Sequence, residues 1–162
     1  MHRIISYAQE YRSALLDLSL RAWEPVFPVV RNEVPGFVYG AFYPNGWRVR
    51  QLKDLSEVLD NEPANVDVAV DEGRPIGWVC TRLHPDDNMG EVFVIAVDPD
   101  YQQRGVGRHL LEHAFARVRE AGMAMVMVET GGDSGHAPAR RVYESLGFEP
   151  WPVARYFKQL DR

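Results

Sequence analysis

The residues with the clearest chemistry are Gln102-Gln103-Arg104-Gly105-Val106-Gly107-Arg108. They follow an apolar run, Val92 to Val97, and open a helix-forming run, Leu110 to Val118. A strand that breaks at a glycine-rich turn and re-enters as a helix aims free backbone N–H groups at one point. Those groups and the positive end of the helix dipole make an anion site. Gly105 and Gly107 let a phosphate approach the main chain, and Arg104 and Arg108 add positive charge. The turn therefore predicts a phosphorylated ligand. A Walker-type loop is excluded, because no Gly-Lys pair occurs in the chain. A dinucleotide fingerprint is excluded too, because its third glycine slot holds Leu110.

What remains is the pattern Q/R-x-x-G-x-G/A, with Gln102, Gly105 and Gly107 in the fixed slots. It resembles the pyrophosphate-binding motif of the GNAT superfamily of N-acetyltransferases. A second string, Ala139-x-x-x-Tyr143-Glu144-x-x-Gly147-Phe148, resembles the family helix that packs beside the coenzyme and carries a tyrosine near its sulfur. The resemblance implies acetyl-CoA as acyl donor, no metal, and direct attack by a primary amine in a ternary complex. It implies coenzyme contacts from Ile95, Ala96 and Val97, from Gln102 through Arg108, and from His136, Ala139 and Tyr143. His136 stands where many members have asparagine seven residues before the tyrosine. A backbone N–H near Ile95 to Val97 is the expected oxyanion donor, and Tyr143 the expected acid for the leaving thiolate.

The attacking amine must be neutral, yet a lysine-like amine has a pKa of about 10. A general base is therefore useful. Glu91 and Glu129 compete. Glu91 opens the strand that feeds the glycine turn, with the spacing of the base in the histone-acetyltransferase branch. Glu129 ends a buried strand, where partial desolvation would raise its pKa. The bland reading of either is a solvated or capping carboxylate, and proximity alone could also drive the transfer. The readings outside N-acetyl transfer are a non-catalytic acyl-CoA-binding module and an acyltransferase with another acyl group or a hydroxyl acceptor.

The elements that must position these residues follow from periodicity. His2 to Tyr7 reads as a strand and Ala8 to Ala22 as an amphipathic helix. Trp23 to Trp47 is broken by seven prolines and glycines and reads as irregular. Its Trp23, Phe27 and Tyr39 are the candidates for acceptor binding. Arg48 to Leu59 reads as a second helix. Val66 to Val70 and Pro75 to Leu83 read as a hairpin around Asp71–Arg74, and Glu91 to Val97 as the next strand. A helix from Gly105 ends at Ala121-Gly122. Met123 to Val128 reads as a central strand buried on both faces. A short helix spans Pro138 to Leu146, with Asp133 or Ser134 as its cap. Further strands are expected from Phe148 and over Val153 to Leu160.

The resulting expectation is a mixed α/β, GNAT-like fold. It has a central, mostly antiparallel twisted sheet of about six to seven strands, flanked by about four helices. Residues 1–162 read as a single N-acetyltransferase domain, with 23–62 as the variable acceptor segment, 91–121 as the pyrophosphate motif and 136–148 as the tyrosine helix.

Composition narrows the class further. An apolar share of 46% is that of a globular chain. A net charge of −5 argues against a nucleic-acid partner and is compatible with a cationic acceptor, either a small molecule or a peptide amine. One cysteine, Cys80, rules out an internal disulfide and suits a cytoplasmic setting. It is expected to be a buried, inert thiol. No signal peptide and no membrane span is read. The family resemblance admits a homodimer. His109 and His113 stand four apart, but the glutamate is Glu112, so the zinc pattern H-E-x-x-H fails and a solvated face is expected.

Overall fold

Val66, Val68 and Val70 put β-branched residues at every second position, which favours a pleated strand. They form β2, Val66–Asp71, in the computed structural model, which describes residues 1–162. The turn after it uses two left-handed residues, Glu72 at φ 48° and Gly73 at φ 80°, as a tight hairpin requires. β3, Arg74–His84, returns antiparallel to β2. β1, Arg3–Ser6, pairs antiparallel on the far side of β2, and β4, Met89–Val97, pairs antiparallel with β3. β5, Met125–Val128, runs parallel to β4, so the five strands lie in chain order.

The helices are α1 (Arg12–Trp23), α2 (Phe27–Glu33), α3 (Gly36–Phe42), α4 (Trp47–Asn61), α5 (Val106–Glu120) and α6 (Ala137–Ser145). The backbone gathers into two compact units. The first is Met1–Trp23 with Gln51–Glu129; the second is Glu24–Arg50 with Thr130–Arg162.

The first unit holds the sheet. Leu15, Leu16 and Leu18 of α1 and Leu55, Val58 and Leu59 of α4 bury one sheet face against Val66, Val68, Trp78, Cys80 and Ala96. The indole N–H inside this core is satisfied: Trp78 Nε1 donates to Ser19 Oγ at 2.8 Å, and that hydroxyl donates to Leu15 C=O at 2.6 Å. Burial pushes the Cys80 thiol pKa up, and the thiol donates to Glu62 at 3.2 Å, so it is buried and inert as expected. α5 covers the other face with Val106, Leu110, Leu111, Ala114 and Val118. It lies close because Gly77 and Gly90 present no side chain to it. His113 and Arg117 of α5 meet the buried Asp67 of β2 at 3.1 and 2.6 Å. His109 contacts His2 at 2.9 Å. The expected solvated histidine face is thus partly an anchoring face, because the carboxylate that His113 meets is out of water.

Within the second unit, Phe27 stacks on Trp47 with centroids 4.4 Å apart, and Tyr43 meets Phe27 edge-on at 5.4 Å. The stretch expected to be irregular forms α2 and α3 instead. Pro28 lies in the first turn of α2 and Pro35 is the N-cap of α3, where a missing N–H costs nothing.

Three further expectations need correction. The sheet has five strands rather than six or seven, and six helices stand in place of about four. No strand forms from Phe148 or over Val153 to Leu160, where Trp151 is 87% exposed. Pro150 and Pro152 remove ladder donors there, and the apolar residues bury no common face. β5 is an edge strand with Met125 52% exposed, not a central strand buried on both faces. With no strand beyond it, an apolar run is only half covered.

A Cβ on Gly90 would meet Val118 Cγ2 at 2.1 Å, inside a packed face. Gly90→Ala is therefore expected to cost about 1–3 kcal/mol of stability, and Val118→Ala in the same chain should recover most of it. Denaturant unfolding of the two single variants and the double variant measures the coupling; additive losses would contradict the contact.

Candidate active site

β4 pairs with β3 as Cys80↔Val94 and then Thr81↔Val92, so Phe93 is an extra residue without a partner. This is a β-bulge. On its other side β4 pairs with β5 only from Met89↔Met125 to Val92↔Val128. The two strands part at the bulge, and β4 runs on to Val97 with one edge open. Asp98 N–H donates to Ile76 C=O at 2.8 Å. By antiparallel alternation, Val94 and Ala96 turn their backbone groups to β3, while Ile95 and Val97 turn theirs to the open edge. Gln102 Nε2 caps Val97 C=O at 3.2 Å. The N–H groups of Ile95 and Val97 and the C=O of Ile95 are left aimed outward. Ala96 contributes packing, being buried in the core.

The open edge ends at Asp98, a carboxylate only 1% exposed. It accepts two bonds of 3.0 Å from Arg21, one of 3.2 Å from Arg74 and one of 3.0 Å from Asp100 N–H. The Arg21 guanidinium holds its pKa below the usual carboxylate range. α1, β3 and the end of β4 are thereby tied together where the glycine turn starts. The turn itself uses Gln103 at φ 61° and Gly105 at φ 82°. Gly105 is the N-cap of α5 and offers no side-chain cap. His109 N–H is bonded to Gly105 C=O at 3.0 Å, so the N–H groups of Val106, Gly107 and Arg108 precede the first helical bond. A Cβ built on Gly105 would meet nothing within 4 Å, so the space in front of the turn is open. Arg104 lies over the Tyr101 ring at 5.3 Å, and Arg108 pairs with Glu112 at 3.0 Å.

Glu91 and Glu129 are placed very differently. Glu129 lies exposed one residue past β5 and makes no ion pair, so the expected desolvation is absent. Glu91 is 15% exposed, and its Oε2 is 2.6 Å from Nε2 of His84. The register explains the pair: Arg82 is opposite Glu91 and His84 is opposite Met89, so His84 and Glu91 are diagonal neighbours on one face. Arg82 lies 3.3 Å from the Phe93 ring centroid and holds Glu62 with bonds of 2.6 and 2.9 Å. That guanidinium brings the Glu62 pKa down to about 2. Sequence reading missed His84 and the bulge. The signal for His84 was a seven-residue separation across a hairpin whose turn is set by Pro85.

In the second unit, Tyr143 of α6 packs edge-on against Phe148 at 5.7 Å. Burial raises its pKa, so the phenol stays protonated at neutral pH. His136 sits 2.7 Å from Asp133, whose carboxylate also caps the turn by accepting from His136 N–H at 3.2 Å. Arg140 ties the loop with bonds of 2.5 and 2.7 Å to the C=O groups of Gly131 and Asp133. Glu33 of α2 accepts from Ser134 N–H at 2.8 Å and from its hydroxyl. Ala139 lies half-buried on the first turn of α6. An open cleft of about 530 Å³ is lined by Pro28, Arg31, Asn32, Tyr39 and Trp47. Of the acceptor candidates Tyr39 lines it, Phe27 lies buried in a stack with Trp47, and Trp23 packs on the first unit's core.

Residues 15–148 match the acetyltransferase (GNAT) family, and the chain belongs to it. The class is therefore that of the GNAT acetyltransferases. Among curated relatives, a mycothiol acetyltransferase of Thermomonospora curvata is 41% identical over 107 residues, which is 66% of this chain and 35% of that protein. The chain spans about a quarter to a half of the length of such relatives. The ribosomal-protein-S18-alanine N-acetyltransferase of Escherichia coli has a TM-score of 0.65 at 25% identity, covering 94% of this chain and 80% of that one. The PaiA N-acetyltransferase of Thermoplasma acidophilum, solved with coenzyme A, has a TM-score of 0.68 at 13% identity, covering 95% and 93%. No helix is long and apolar enough to cross a membrane.

Asp98→Asn should loosen the root of the turn. A broken buried ion pair costs about 3–5 kcal/mol; both guanidiniums reach solvent here, so about 2 kcal/mol is expected. Because the folded-state pKa is depressed, the wild-type contribution is complete at neutral pH and lost as pH falls through the acidic range. Thermal unfolding at a series of pH values should show wild type and variant converging in acid. A constant gap would refute the assignment.

Proposed function

We infer that this chain transfers an acetyl group from acetyl-CoA to a primary amine by direct attack in a ternary complex. The observation that carries this reading is the continuity of an open β4 edge with an uncapped glycine turn. N–H groups of Val106, Gly107 and Arg108 suit a diphosphate, with Gln103, Arg104 and Gly105 in the same turn. The outward N–H and C=O groups of Ile95 and Val97 suit the amides of a pantetheine arm, which would lie where a sixth strand could add. The coenzyme supplies an activated thioester; the chain supplies position, donors and proton handling. An N–H on the open edge is placed to receive charge building on the acetyl oxygen. Glu91 takes the amine proton. Its partial burial and its partner distinguish it from the solvated Glu129. Tyr143, a phenol kept protonated by burial, serves as acid for the thiolate. His136 serves the loop beside it, with Ala139 giving close approach.

The acceptor is a small-molecule or peptide amine, and Trp23, Phe27 and Tyr39 belong to the segment, 23–62, that would select it. Both kinds of acceptor occur among the names of similar proteins. The reading treats residues 1–162 as one N-acetyltransferase domain acting in the cytoplasm without a metal.

Two variants test the halves of the proposal. Gly105→Val should weaken acetyl-CoA binding at least tenfold by calorimetry, because a side chain at φ 82° both strains the turn and blocks the diphosphate. Unaltered affinity would remove the phosphate assignment. Tyr143→Phe should lower turnover by about 10² with little change in acetyl-CoA affinity. Full turnover would remove the acid. Binding of acetyl-CoA by the wild type without turnover on a panel of amines would mark a non-catalytic acyl-CoA-binding module.

A further inference from the structure

Glu91 must pass on the proton that it takes, or it serves one turnover only. We propose that His84 is the outlet that carries this proton from Glu91 to solvent. The inference rests on Glu91 being the base. Three observations support it. His84 Nε2 is 2.6 Å from Glu91 Oε2, close enough for transfer without an intervening water. The histidine is 38% exposed against 15% for the glutamate, so the pair grades from the sheet surface outward. The pair sits at the parallel stretch of β4 and β5, two residues before Phe93, where the two strands part.

The groups around the pair leave the route to His84. On β3, Arg82 is opposite Glu91, but its guanidinium is bound to Glu62 and cannot accept a proton. Glu62, at the end of α4, is held by that guanidinium, by Asn65 and by the Cys80 thiol. On β5 the residue opposite Glu91 is Met127, which has no proton to exchange. Asp86 and Asp87, in the turn between β3 and β4, have no bond to either member of the pair. Imidazole is the side chain that both accepts and releases a proton near neutral pH.

The balance is simple. A substrate ammonium gives one proton to Glu91, and the neutral amine attacks the thioester carbonyl. The new C–N bond forms, the C–S bond breaks, and the second amine proton reaches the thiolate sulfur. Glu91 passes its proton to Nε2 of His84, whose other nitrogen delivers one to water. One proton leaves per acetyl group transferred.

His84→Ala, His84→Gln and Glu91→Gln separate this from a structural role. Turnover by His84→Ala is expected to fall about tenfold near neutral pH at unchanged acetyl-CoA affinity, and added imidazole should restore most of it. His84→Gln can still donate to the carboxylate but cannot relay a proton, so it should stay slow. In the ligand-free protein, a downfield imidazole N–H resonance should be present in wild type and absent from both Glu91→Gln and His84→Gln. A slow Glu91→Gln beside a fully active His84→Ala would overturn the outlet and leave the base in place. Full activity in both would overturn the base itself. A slow His84→Ala that imidazole does not restore, while His84→Gln is fast, would make His84 a structural partner only.

Discussion

The structure depends on one backbone event, the parting of β4 from β5 at Phe93. A parallel pair that ran the full length of β4 would satisfy every main-chain group and leave no room for a ligand. One extra residue ends that pairing. It also re-phases the side chains. Gly90 faces α5, so Glu91 faces the opposite side, yet past the bulge it is Val94 and Ala96 that face that side. Without the extra residue, Val94 and Ala96 would point at α5, and the core under α1 and α4 would lose two members. The open edge and the intact core are thus consequences of the same residue.

An edge with free N–H groups and a turn with free N–H groups are useful only if they hold still before a ligand arrives. Asp98 supplies that constraint. It is buried, and its partners come from α1, from β3 and from Asp100, just ahead of the turn. Asp67 does the same for the back of the sheet, joining β2 to α5 through Arg117 and His113. Each carboxylate costs desolvation and is retained by guanidinium bonds from another element. The hydrophobic core fixes which faces meet; these pairs fix where the ends of the elements stop.

The glycine turn, its flanking strand and helix, and the central hairpin were legible because each has a local cause: glycine for left-handed φ, alternation for a half-buried strand, and a helix period after the turn. The motif around Tyr143 was legible as a helix for the same reason. What was not legible depends on partners distant in sequence. The apolar run of β5 reads like a central strand, and only the absence of a neighbour makes it an edge. The residues after Phe148 have strand-like composition, and only the sheet could say that none pairs there. His84 is marked only by its spacing from Glu91, and the register of β3 against β4 decides that the two meet. The net charge of −5 likewise does not describe the cleft, which Arg31 lines and no carboxylate does.

Two glutamates on one face show how a neighbour decides what a carboxylate can do. Glu62 is bound by Arg82, a cation that cannot release its proton, and its pKa is held to about 2. Such a group stays charged at any ordinary pH and is too weak a base to take a proton from an ammonium. Glu91 stands opposite the same arginine in the sheet, but the arginine is turned to Glu62, and Glu91 is left with a histidine. A histidine partner, unlike a guanidinium, carries no permanent positive charge. Had Arg82 turned to Glu91 instead, that carboxylate would be the one held by a guanidinium. The division of partners between Glu62 and Glu91 is therefore what leaves Glu91 with a histidine rather than a guanidinium, within two residues of the bulge that opens the edge.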